Sequence, residues 1–143
     1  MAKRYLHEAG SDEVDYFLGR MVSVSISRLT VVELRCLLAR RRRNRDIDAG
    51  AERRAAAAFE DDIVQGFLEV HPLEDRHAIG ARDLLIRLAI VPLRTLDALH
   101  LAIATGIDAS AVATADDIFA AAAAALRLRV EWFGGAERSG RRR

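Results

Sequence analysis

Three carboxylates, Glu33, Asp97 and Asp116, recur at one kind of position: each falls where a helix is expected to begin. Glu33 lies in the first turns of the helix that follows an alternating apolar segment at 22–26. Asp97 lies in the first turn of a helix from Thr95, and Asp116 directly follows the short apolar run Ala111-Val-Ala-Thr114. In a parallel α/β sheet such helix starts sit outside the carboxyl ends of the strands, where open α/β folds place their ligands. Converging carboxylates repel one another, so a cluster that stays ionised requires a cation. Oxygen-only donors select a hard ion. Mg²⁺ or Mn²⁺ would polarise a phosphoryl oxygen and lower the pKa of a bound water, which is how phosphodiesters are hydrolysed.

Each acid also has a purely structural explanation. Thr30-Val-Val-Glu33 has the spacing of a capping box, Asp97 suits the positive end of a helix dipole, and Asp116 can itself be an N-cap. Spacing alone leaves both explanations open. Arg94, just before Asp97, would reach the mouth of such a site and could hold a substrate phosphate. His100 is one turn beyond Asp97, but an imidazole is an unusual neighbour for hard oxygen ligands, so packing or a hydrogen bond suits it better. Arg40-Arg-Arg-Arg43 and Arg45 could grip phosphates, or could simply complement the negative end of the helix they close. His7, His71 and His77 have no ligand spacing.

The elements that must position these residues follow from periodicity. Helices are predicted over 2–8, 11–20, 28–43, 52–67, 75–88, 95–105 and 117–126, and strands over 22–26, 68–73, 111–114 and 128–133. Gly10 and Gly106 are expected to stop helices, residues 44–51 to form a loop, Pro72 to mark a sheet edge, and residues 134–143 to be a flexible basic tail. Strands alternating with helices imply an α/β fold with a largely parallel sheet flanked by helices. One strand of such a sheet should be a continuous apolar run, buried on both faces, yet three of these four alternate and the fourth is very short. The strand expected to be absent is the central one.

Composition narrows the class. The chain has 143 residues, 51% hydrophobic and 30% charged, which suits one globular domain, here 1–133. A net charge of +1 produces no global attraction for nucleic acid, so any such attraction must be local. Cys36 is the only cysteine, which excludes an internal disulfide and cysteine-rich zinc sites. No apolar run approaches the length of a membrane span, and Met1-Ala-Lys-Arg-Tyr5 is no signal peptide; a cytoplasmic protein is expected. Aromatic residues are too few for a base-stacking platform.

Four segments together resemble the PIN-domain family, and especially its VapC-like toxins. They are Lys3-Arg-Tyr-Leu-His-Glu8, Leu29-Thr-Val-Val-Glu33-Leu34, Leu93-Arg-Thr-Leu-Asp97-Ala-Leu-His100-Leu-Ala102, and Val112-Ala-Thr-Ala-Asp116 with the helix and strand that follow. The resemblance spans residues 2–133. It implies a Rossmann-like three-layer sandwich and a Mg²⁺- or Mn²⁺-dependent endoribonuclease, with Glu33, Asp97 and Asp116 as direct or water-mediated metal ligands. Thr114 would orient water or substrate, a cognate VapB-like antitoxin would restrain the enzyme, and the chain would form a homodimer. Members of the family begin with an apolar strand ending in aspartate, of the type Leu-Asp-Thr-Ser-Ala-Leu, where this chain has Met1-Ala2. A start placed too far downstream is the preferred explanation over real loss of the strand. Two other readings stay open: a catalytically inactive remnant that binds a protein partner, and a structure-specific DNA nuclease.

Overall fold

A computed structural model describes residues 2–6 and 11–134, which divide into two compact units, Met1–Leu73 and Glu74–Arg143. The first unit contains α1 (Ala2–Tyr5), α2 (Ser11–Leu18), β1 (Val24–Ser27), α3 (Arg28–Arg43), α4 (Ala49–Val64) and β2 (Leu68–His71). Its strands pair in parallel, from Val24 opposite Leu68 to Ser27 opposite His71. The i, i+4 pair Leu34 and Leu38 puts an apolar stripe on α3, and Ala55, Ala56 and Phe59 do the same on α4. With Leu6, Ile26 and Leu68 they form one core. Phe59 is 0% exposed.

Local chemistry sets the boundaries, and it moves several from their expected places. Ser27 is the N-cap of α3, its Oγ accepting from the Thr30 N–H at 3.2 Å. Thr30 is therefore inside the helix, and the expected capping box from Thr30 to Glu33 does not form. The first strand starts at Val24, whose N–H bonds the Phe67 carbonyl at 2.8 Å, while Val22 is exposed. Helix α4 begins at Ala49 because Asp48 caps it, Oδ1 accepting from the Ala51 N–H at 2.7 Å. It ends by Val64 because Gly66, at φ +77°, takes the left-handed conformation that reverses the chain. The helix expected at 52–67 is thus shifted toward the N-terminus at both ends.

The second unit contains α5 (Asp75–Arg87), α6 (Thr95–Gly106), β3 (Ala111–Thr114), α7 (Asp117–Ala125) and β4 (Arg129–Trp132). Its strands are also parallel, from Ala111 opposite Arg129 to Thr114 opposite Trp132. The core has a finer grain: Ala81, Ala98, Ala102, Ala122 and Ala123 surround Leu84 and Leu101. Gly106 does not stop α6 but is its last residue. The stop is Asp108, left-handed at φ 53°, with the Asp108 and Ala109 N–H groups bonding the Thr105 and Ala104 carbonyls.

The fold is α/β with parallel strands, as the alternation of periods implies. Its strands form two pairs, β1 with β2 and β3 with β4, and among the described residues no ladder joins them. No described helix is long and apolar enough to cross a membrane. The expected end of the first helix at 7–10 and the basic tail beyond Gly134 lie outside the described residues.

Candidate active site

Two of the three acids, Asp97 and Asp116, belong to the second unit. Helix α6 leads into β3 through residues 107–110, and α7 follows β3 after residues 115–116. Asp97 is the third residue of α6 and is half-buried, next to Ala98, which is 0% exposed. Asp116 follows the end of β3. His100, one turn along α6, is half-buried, and both it and Asp97 already interact with neighbouring groups.

Asp116 and Thr114 also have local work. The Asp116 carboxylate caps α7, Oδ1 accepting from the Phe119 N–H at 2.9 Å, and Thr114 Oγ1 accepts from the Asp116 N–H at 3.0 Å. The hydroxyl thus fixes the turn that presents the carboxylate. An Asp cap spends one oxygen on the backbone and leaves the other available. Arg94 occupies the N-cap position of α6 without capping it, and its side chain is exposed, so its guanidinium can reach a ligand.

Glu33 lies in the first unit, in the second turn of α3 after β1, half-buried and also engaged with a neighbour. It too follows the carboxyl end of a strand. The donor chemistry fits a hard divalent ion, since the carboxylates are oxygen donors with no thiol among them. The donor count is short: among the described residues no group of three or more His, Cys, Asp or Glu side chains is placed to hold a metal ion.

An ionic cluster in the first unit is not visible in the sequence as a motif. Asp62 on α4 accepts from Arg4 Nε at 2.8 Å and from the Tyr5 hydroxyl at 2.6 Å, tying α1 to α4 across more than fifty residues of sequence. Burial opposes ionisation of Asp62, but these hydrogen bonds outweigh it and hold the carboxyl below its ordinary range. Burial, reinforced by the bond to Asp62, pushes the Tyr5 phenol well up, so it stays a donor. Tyr5 packs edge-on to Phe59 at 5.4 Å and Arg4 stacks over Phe67 at 4.7 Å. Arg4 and Tyr5 lie in the first of the four segments singled out above; Asp62 carried no signal beyond its type.

A family model described as PIN domain matches residues 5–125. No curated protein and no solved structure matches the chain.

Proposed function

Because the chain belongs to the PIN-domain family, whose members are generally divalent-metal-dependent nucleases, we propose that it is an endoribonuclease of the VapC-like toxin type. The observation that carries this reading is the PIN-domain match over residues 5–125, which spans Asp97 in the first turn of α6 and Asp116 directly after β3. Glu33, on the helix that follows β1, is the third ligand that the family resemblance implies. Mg²⁺ or Mn²⁺, when bound, would supply a polarised phosphoryl oxygen and an activated water. Arg94 would hold the substrate phosphate, since a guanidinium matches its oxygens two at a time. Thr114 would keep the Asp116 turn in register through the bond it already accepts.

By the same reading the partners are RNA, a VapB-like antitoxin and a second copy of the chain, in the cytoplasm. A second reading, a catalytically inactive PIN remnant that binds a protein, is favoured by one observation: Asp116 and Thr114 both commit polar atoms to the chain's own turn. Cleavage of structured RNA and of matched DNA with Mg²⁺ or Mn²⁺, against EDTA and Asp97→Asn, decides between them. Metal-dependent RNA cutting that Asp97→Asn reduces by about 10²-fold or more supports the ribonuclease. Preferential DNA cutting, or cutting indifferent to EDTA, defeats it, and no cutting at all favours the remnant.

A further inference from the structure

The first unit contains a cleft of about 470 Å³ that the proposed catalytic acids do not use. Arg4, Arg41 and Arg54 rim it, with Asp46 as the acid in its lining, and its floor is apolar, formed by Leu6, Ile47, Ala55 and neighbouring alanines. That volume is in the range of small-molecule sites.

The charges on the rim are not equally engaged. Arg4 is held by Asp62 at 2.8 Å, and Arg41 pairs with Asp46 at 3.6 Å and has a further interaction, whereas Arg54 makes no ion pair among the described residues and acts on Asp48 only through its charge. Around the cleft the sequence is strongly basic. Residues 40–54 contain Arg40 to Arg43, Arg45, Arg53 and Arg54 against Asp46, Asp48 and Glu52, a formal +4 in a chain of +1. The rest of the chain, residue for residue, therefore carries a formal −3.

The backbone holds this run open. Arg45 takes a left-handed φ of 65° in the turn after α3, and the Asp46 N–H bonds the Arg41 carbonyl at 2.9 Å. That turn carries the chain from the end of α3 to the Asp48 cap of α4, which places Arg41 and Arg54 on the two helices that flank it.

Guanidinium groups around an apolar floor suit a ligand that combines phosphate with a flat, weakly polar body. An acidic peptide supplies charge without a flat body. We propose that this cleft binds a nucleotide unit of single-stranded RNA, the phosphate on Arg41 and Arg54 and the base on the floor around Ile47. The inference rests on the ribonuclease reading for the choice of RNA, and it deepens it: Arg41 is eight residues beyond Glu33 on the same helix, about 12 Å along its axis. A strand held here extends the contact with substrate beyond the reacting bond.

Binding, measured apart from cleavage, tests this. A fluorescently labelled 12-nucleotide single-stranded RNA is titrated with the full chain in EDTA, by anisotropy, at several salt concentrations. Arg41→Ala with Arg54→Ala is expected to weaken binding at least about tenfold and to reduce the slope of log K against log salt by about 1.4, since each lost phosphate contact removes roughly 0.7. Arg43→Ala with Arg53→Ala removes the same net charge outside the cleft and is expected to weaken binding less than threefold. An abasic strand of equal length is expected to bind less tightly than the RNA.

Equal losses in both double variants would mean diffuse charge attraction and would overturn the cleft, as would unchanged binding in Arg41→Ala with Arg54→Ala. An abasic strand or polyglutamate that binds as well as the RNA would overturn the nucleotide. Should the double variant unfold by circular dichroism, Arg54→Gln, at an exposed side chain without an ion pair, carries the test, with a reduction in slope of about 0.7 expected. The two readings fail separately: RNA bound in the cleft but never cut defeats the ribonuclease alone, and cutting with unaltered binding in the cleft variants defeats the cleft alone.

Discussion

The two units both cover a parallel pair of four-residue strands with helices, yet they fill the space between differently. The first packs large side chains, Phe59, Leu38 and Leu68 being almost fully buried, and adds a partly buried ionic cluster that ties α1 to α4. The second packs alanines, Ala98, Ala122 and Ala123 at 0% exposure, around Leu101. Small side chains let elements approach closely but remove less apolar area from water. The first unit is therefore stabilised by volume and by a charge tether. The second depends on close approach, and its polar side chains work at strand ends and helix caps, where chemistry is accessible.

If that contrast is right, removing volume should hurt the first unit and adding volume the second. Phe59→Ala is expected to destabilise by about 3–5 kcal/mol, because its ring is fully buried, packs against Tyr5 of α1 and belongs to the core of the unit. Ala98→Leu is expected to cost about 1–3 kcal/mol by overpacking. Urea unfolding checks both; an Ala98→Leu that unfolds as wild type would mean the alanine core is loose rather than tight.

Asp62→Asn sharpens the account of the tether. It is expected to cost about 1–2 kcal/mol at neutral pH, since two charge-assisted hydrogen bonds weaken at a site that is mostly buried. The sign with pH follows from a carboxyl held below its unfolded value. Its contribution is complete above about pH 4 and is lost as pH falls through the folded value. Thermal melts of wild type between roughly pH 4 and pH 2 should accordingly fall more steeply than those of Asp62→Asn; parallel curves would deny Asp62 this role.

Asp116 separates structural from chemical work in the second unit. Asn caps helices as well as Asp does, so Asp116→Asn should keep stability within about 0.5 kcal/mol, whereas Asp116→Ala should lose about 1 kcal/mol. Both should abolish metal-dependent cutting. A fully active Asp116→Asn would reduce this residue to a cap.

The smallest effect expected is a gain. Arg127, after α7, and Arg45, after α3, hold left-handed conformations at φ 64° and 65°, which glycine adopts without strain. Arg127→Gly should raise stability by up to about 1 kcal/mol in thermal melts. Arg45→Gly should do the same while also shifting the rim of the arginine cleft, so its RNA binding is the more informative measurement.

Much of this was legible in the sequence. The helices from Arg28, Asp75, Thr95 and Asp117 and all four strands follow from apolar period alone, because amphipathic faces repeat at 3.6 or 2 residues whatever they pack against. The start of α4 at Ala49 is not legible, because an Asp such as Asp48 reads the same in a loop as at a helix cap. The alternation sets the first strand two residues early, since Val22 continues it but is exposed outside the ladder that begins at Val24.

By itself the sequence determined the α/β class, the four strands, the position of Asp97 in the first turn of a helix and those of Glu33 and Asp116 after strands, since all of these are properties of neighbours along the chain. Only the tertiary structure decided that the strands form two separate parallel pairs, that Arg4 and Tyr5 meet Asp62, and that Arg41 and Arg54 rim one cleft with Ile47 in its floor. These are contacts between distant segments. Their partners are selected by which apolar faces are buried together, and no local period encodes that choice.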